Sequence, residues 1–148
     1  MRALPPDRDP SVKVVVVCDG AARGNPGPAG IGAAVLTPEG EVLAEIAEGI
    51  GETTNNVAEY TAALEGLRRA AELGADEVEL RSDSRLLVEQ LSGRYRVKAP
   101  HLQPLHAAVL TEARRIGRVT FRHVPRERNT HADRLANVGV DAWLARHG

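Results

Sequence analysis

The chain is predicted to fold as one α/β domain, a five-stranded mixed sheet of three antiparallel strands followed by two parallel ones, with helices on both faces. Three observations carry this expectation. Val12 to Cys18 is a nearly continuous β-branched run, the pattern of a central strand buried on both faces. Two more strand-like runs follow it at meander spacing. Beyond them helix-period and strand-period stretches alternate, which implies crossovers to parallel strands. A length of 148 residues and 43% hydrophobic content suffice for a single core.

Taken in order, the first run ends at Asp19-Gly20, and Ala21 to Gly30 reads as a Gly/Pro loop. Ile31 to Thr37 and Val42 to Ile50 are the next strands, joined by the turn Pro38-Glu39-Gly40-Glu41. A helix spans Asn56 to Leu73, with Val57, Tyr60, Leu64, Leu67 and Ala71 at helical spacing and Gly74 as its stop. The Glu59 side of that helix continues through Ala62, Ala63 and Gly66, small enough for close approach to a sheet. Val78 to Arg81 is a short strand and Ser84 to Leu91 a short helix; Gly93 to Pro100 is an irregular basic connection. Leu102, Leu105, Val109, Ala113 and Ile116 outline another helix, and Val119 to Val124 is the last strand. After a turn at Pro125 to Asn129 comes a final helix whose Ala132, Leu135, Ala136, Gly139, Val140 and Trp143 share one face.

Residues 1–11 read as a flexible N-terminal segment without the apolar core of a signal peptide, and 12–148 as the domain. No run of 18 apolar residues is present, so no membrane association is expected. The single cysteine, Cys18, reads as a small buried hydrophobe in a reducing, cytoplasmic setting. The net charge of -1 conceals a division. Residues 94–128 hold nine bases against two acids, and the remainder ten bases against eighteen acids. That segregation suits either a basic face for a polyanion beside an acidic region for cations, or merely solvated helix faces.

Four acids stand out, each with a structural alternative. Asp19 ends the first strand, where ligands of open α/β sheets gather, or belongs to an ordinary Asp-Gly turn. Glu59 follows Asn56 by three residues and Asp133 follows Thr130 by three, so both fit capping boxes. Asp83 in Ser82-Asp83-Ser84 fits an N-cap. Together, however, two acids lie at the ends of strands expected to be adjacent and parallel, and two lie in first turns of helices packed on that sheet. Four carboxylates meeting at one edge would repel strongly unless protonated or bound to cations. Oxygen-only ligands suit Mg²⁺ or Mn²⁺. A pair of such ions, about 3.5–4 Å apart, is the arrangement that clamps the attacking and leaving oxygens of a phosphodiester. The Gly24-Asn25-Pro26-Gly27 segment is neither a Walker loop nor a dinucleotide fingerprint, and reads as a rigid turn that lets another backbone come close to Asp19.

Asp19-Gly20-Ala21-Ala22-Arg23-Gly24-Asn25-Pro26-Gly27-Pro28, Thr54-Asn55-Asn56-Val57-Ala58-Glu59, Ser82-Asp83-Ser84 and Asn129-Thr130-His131-Ala132-Asp133, in this order, resemble type 1 ribonuclease H in its compact, short-protrusion prokaryotic form. The resemblance spans roughly 12–145 and implies the ribonuclease H-like fold. It further implies endonucleolytic cleavage of the RNA strand of RNA/DNA hybrids, with 5′-phosphate and 3′-hydroxyl products and two Mg²⁺ ions, for which Mn²⁺ substitutes. By this resemblance Asp19 bridges the ions, Asp133 completes the site that activates water, and Glu59 and Asp83 hold the ion at the leaving 3′-oxygen. Gly24, Asn25, Asn55 and Asn56 match minor-groove contacts to 2′-hydroxyls, Thr54 a DNA-phosphate contact, and Gly20, Ser84 and Arg126 further positions at the nucleic acid. Glu52 replaces an Arg that many members carry two residues before Thr54, and Arg85 replaces a polar amide. The basic protrusion is reduced to Arg94-Tyr95-Arg96-Val97-Lys98, so binding is expected to be weaker and more salt-sensitive. The loop before Asp133 lacks a flexible His; His123 is assigned to the last strand, His131 to the first helical turn, and Arg126 and Arg128 are electrostatic substitutes.

Such compact forms also occur fused to other domains, such as a phosphatase, so the chain is read as a monomeric domain that a longer protein could contain. The alternatives are a non-catalytic module that binds RNA/DNA hybrid or duplex RNA on the same fold, and a related exonuclease or resolvase. The latter is weakened by Ala21, which stands where a second acid would follow Asp19.

Overall fold

The computed structural model describes residues 12–147, so the segment expected at 1–11 lies outside the described residues, as does Gly148. Strand β1 (Lys13–Ala22) divides the core in two. Its side chains alternate, Val14, Val16 and Cys18 facing one layer and Val15 and Val17 the other. After it come β2 (Gly27–Leu36), β3 (Val42–Thr53), α1 (Asn55–Glu72), β4 (Glu77–Ser82), α2 (Arg85–Leu91), α3 (Gln103–Ile116), β5 (Arg118–His123), a 3-10 turn (Arg126–Arg128) and α4 (Thr130–His147). The sheet order is β3-β2-β1-β4-β5. The β1–β2 and β2–β3 pairs are antiparallel, while β1–β4 and β4–β5 are parallel, which is the expected meander followed by two crossovers.

The larger layer packs Tyr60, Leu64 and Leu67 of α1 and Val109 and Ile116 of α3 on the sheet. The smaller sets Ala132 and Leu135 of α4 against Val15, Val17 and Ala34. Each fully buried Val or Leu contributes on the order of 1.5–3 kcal/mol relative to exposure. Small residues set the helix distances. A Cβ on Gly32 would meet the Ala132 carbonyl oxygen of α4 at 2.2 Å, so only glycine lets that first turn lie on the strand.

Several local expectations are corrected. The Gly/Pro stretch is mostly ladder: Ala21 pairs with Gly30 and Ala22 with Ala29, and only residues 23–26 turn. Backbone pairing overrides the loop propensity because Gly27 and Gly30 are buried, where an unpaired peptide would be costly. Strand β3 runs on to Thr53, beyond Ile50. Thr54, not Asn56, caps α1, its Oγ1 accepting from the Val57 N–H at 3.2 Å. Ser84, not Asp83, caps α2, accepting from the Leu87 N–H at 3.2 Å.

Candidate active site

The parallel ladder between β1 and β4 stops at Val17↔Arg81. Just beyond it the chain places Asp19, still paired with Gly32 of β2, and Asp83, one residue past the end of β4. Glu59 comes from the second turn of α1, which sits against β1 because residue 20 is glycine. A Cβ there would lie 2.3 Å from the Ala58 carbonyl carbon and 2.4 Å from the Glu59 nitrogen. The close approach to Asp19 expected of the Gly24–Gly27 turn therefore occurs at Gly20. Asp133 stands in the first turn of α4, brought in by the contact at Gly32.

Asp19, Glu59 and Asp83 each offer a carboxylate oxygen, and these atoms all lie within 4.8 Å of one another. Asp133 lies beside this trio, on the same cavity of about 380 Å³. Ser84, next to Asp83 in sequence, caps α2 and also acts on the Glu59 carboxylate, lowering its pKa. Asp19 is only 8% exposed. Burial, then the charge of Asp83, then a hydrogen bond to Asp133 and the charges of Asp133 and Glu59 push its pKa up to about 8. Burial pushes Glu59 up to about 7, opposed by the Ser84 hydrogen bond, reinforced by Asp83, and opposed again by Arg126. Like charges held out of water favour protonation or a bound cation. The donors are hard carboxylate oxygens within reach of one centre, so the residues present fit Mg²⁺ or Mn²⁺.

Of the other residues predicted at the site, Gly20, Asn55, Asn56 and Arg126 line the cavity. Gly24, Asn25, Thr54 and Ser84 do not, but three of them support it. The Asn25 Oδ1 accepts from the Asn55 N–H at 3.0 Å, and the Asn55 Oδ1 accepts from the Ala22 N–H at 2.9 Å. These two bonds clasp the β1–β2 turn to the start of α1, while Thr54 caps that helix. The His residues stand where expected. His123 ends β5, and His131, in the first turn of α4, pairs with Glu45 of β3. The basic stretch is partly neutralised, since Arg94 pairs with Glu89, Arg115 with Glu112 and Arg122 with Glu79.

Asn129 had no expected role, although it opens the motif containing Asp133. It is 1% exposed, and its Nδ2 donates to the Cys18 carbonyl at 3.0 Å and to Asp83 Oδ2 at 3.3 Å. The only sequence signal was an amide in a short turn before an acid.

Comparison with known proteins bears on this arrangement. The family described as Reverse transcriptase-like matches residues 17–139. A bifunctional protein of Mycobacterium tuberculosis is 51% identical over 132 residues, covering 88% of this chain but 36% of that protein. The chain thus spans about a third of its length. The solved N-terminal RNase H domain of that mycobacterial protein, fused to maltose-binding protein, superposes with a TM-score of 0.90 at 50% identity, covering 93% of this chain and all of that one. Ribonuclease HI of Halobacterium salinarum is 40% identical over 136 residues, 92% of this chain and 67% of that protein. LC11-RNase H1, isolated from compost by a metagenomic approach and solved in complex with an RNA/DNA hybrid, has a TM-score of 0.85 at 42% identity, covering 88% of this chain and 99% of that one.

Proposed function

The chain belongs to the type 1 ribonuclease H family, and from that membership we propose that it hydrolyses the RNA strand of RNA/DNA hybrids internally, leaving 5′-phosphate and 3′-hydroxyl ends. The observation that carries the proposal is the meeting of Asp19, Glu59 and Asp83 oxygens within 4.8 Å, with Asp133 on the same cavity. These four carboxylates would hold two Mg²⁺ ions, or Mn²⁺ in their place, with Asp19 shared, Asp133 on the water side, and Glu59 and Asp83 on the leaving side. Paired divalent ions supply charge stabilisation to both the attacking and the departing oxygen of an in-line displacement.

The chain's own groups do the rest. The start of the helix that carries Glu59 is fixed by the Thr54 cap, which constrains where the carboxylate points before substrate arrives. Asn55 and Asn56 line the cavity with carboxamides suited to 2′-hydroxyls and base edges of a minor groove. Because the Asn55 Oδ1 is already engaged with Ala22, its NH₂ is the half left to donate outward. Gly24 and Asn25 extend that surface along the β1–β2 turn, and Thr54 and Ser84 are placed for the backbone. Arg126 supplies a positive charge at a cavity whose other charged lining residues are carboxylates, where a phosphodiester would need one.

The domain is proposed to comprise 12–148, to act as a monomer in the cytoplasm, and, by likeness to the mycobacterial relative, to be a unit that a longer polypeptide can contain. No helix among the described residues is long and apolar enough to cross a membrane. One assay tests the activity: internally labelled hybrid, duplex RNA, duplex DNA and single-stranded RNA, each with Mg²⁺, Mn²⁺ or chelator. Internal cuts in the RNA of the hybrid, abolished by chelator, are expected. A protein that shifts the hybrid on a gel under all conditions without cutting it would make this a binding module and overturn the proposal.

A further inference from the structure

Asn129 joins the elements that carry three of the four acids. Its two Nδ2 hydrogens are both used, one on the Cys18 carbonyl next to Asp19 and one on Asp83 Oδ2. Its own carbonyl accepts from the Asp133 N–H at 3.1 Å, in the first turn of α4. Where the β1–β4 ladder ends at Val17↔Arg81, the next carbonyl of β1 is thus taken by a side chain from the far end of the sequence, in place of another strand residue. The two strand ends part there, and the amide bridges the opening on which the acids sit.

The orientation of this amide is chemically determined. Turned over, its oxygen would face two acceptors, the Cys18 carbonyl and the Asp83 carboxylate, so only the observed direction makes bonds. The observed direction also has a cost. Asn129 Oδ1 is buried and has no hydrogen-bond partner among the described residues. A residue selected for stability alone would avoid an unsatisfied buried acceptor. What is retained at that cost is the donor half, which reaches a carboxylate of the site directly.

We propose that Asn129 is a positioning residue whose amide NH₂ holds Asp83 against the end of β1, fixing the spacing between the first and third carboxylates for the divalent cation. The proposal rests on the reading of the four acids as a cation-dependent nuclease site. Partners that orient ligating groups typically contribute about 10–100-fold to metal affinity or activity, and Asn129 has that relation to Asp83.

The test uses Asn129→Leu, which keeps the branched shape at a larger volume and removes both the donor and the unsatisfied acceptor, with the smaller Asn129→Ala as a second variant. For each, Mn²⁺ affinity is measured by calorimetric titration, thermal melting is followed with and without Mn²⁺, and kcat and KM are obtained on a hybrid. Mn²⁺ binding weaker by about tenfold or more, with kcat lower by about 10–100-fold and KM for the hybrid within about twofold, is expected in a protein that still melts cooperatively. Mn²⁺ affinity equal to that of the unmodified chain in either folded variant overturns the proposal. Failure of both variants to fold also overturns it, since the amide would then serve the fold alone. If the unmodified chain neither binds Mn²⁺ nor cuts hybrid, it is the nuclease reading that fails, and this proposal falls with it.

Discussion

Two charged cavities lie at opposite ends of the same parallel strands. At the carboxyl ends, a space of about 380 Å³ collects Asp19, Glu59, Asp83 and Asp133, with Arg126 as the cation among its lining residues. At the amino ends, one of about 310 Å³ is lined by Lys13, Glu77, Glu79 and Arg118 among others. The second also carries charged residues, but of both signs, and three of the four named are paired. Lys13 lies 3.7 Å from Glu77, and Glu79 lies 2.5 Å from Arg81 and 3.9 Å from Arg122. At the carboxyl ends, by contrast, burial and mutual repulsion push Asp19 up to about 8 and Glu59 up to about 7. Charge density alone does not mark a site in this fold. Like charge, concentrated and only partly solvated, does, because it destabilises the free protein and is relieved by a cation.

The comparison breaks most decisively at Asp19. Asp19→Asn is expected to lower hybrid cleavage by about 10³-fold or more, because the shared ligand of the proposed ion pair is lost. The same change is expected to raise Tm in chelator by several degrees, since a buried, repelled carboxyl becomes a neutral amide. Cleavage kinetics and melting on the same preparation check both. A variant that loses activity and stability together would mean that Asp19 supports the fold.

A second test sharpens the contrast through pH. Asp19 and Glu59 have raised folded-state pKa values, so below about pH 4 both are protonated in folded and unfolded chains and contribute no difference. As pH rises to about 8, the unfolded chain releases these protons first, and the folded state therefore loses stability across that window. In chelator, the Tm advantage of Asp19→Asn over the unmodified chain should grow from near zero at pH 4 to its full value above pH 8. Saturating Mg²⁺ should shrink it, a ligand at 100 times its Kd stabilising by about 2.7 kcal/mol. An advantage independent of pH would refute the electrostatic account.

The smallest effect belongs to the other cavity. Glu79→Gln removes both ion pairs of a residue that lines it, and because these are partly exposed it should change stability by no more than about 1 kcal/mol and leave hybrid cleavage unaltered. A marked fall in activity would show the two ends of the strands to be coupled.

Much of this site was legible beforehand. The four acids, their positions at strand ends and helix starts, and the likeness carried by their motifs all survive in the folded chain. Their structural alternatives fared differently. Asp83 is not a helix cap and Asn56 does not cap α1, because Ser84 and Thr54, one and two residues away, have the extended backbone and the hydroxyl that the caps use. Capping is decided by backbone geometry at a single residue, to which side-chain spacing is a poor guide. The stretch from Ala21 to Gly30 reads as a Gly/Pro loop, yet most of it is ladder, since Gly27 and Gly30 serve the close contacts of β2.

The order of elements, the buried central strand and the identity of the four carboxylates are properties of the amino-acid sequence alone, because periodicity and residue type are local and survive in one dimension. Tertiary structure decided the rest. Which acids converge within 4.8 Å, that Gly20 and Gly32 admit two helices to the sheet, and that Asn129 reaches Cys18 from 111 residues away all depend on contacts between distant segments. So does the protonation of the site. A carboxyl group titrates according to the water and charge around it, and for Asp19 those are set by three acids that the chain brings near only when it folds.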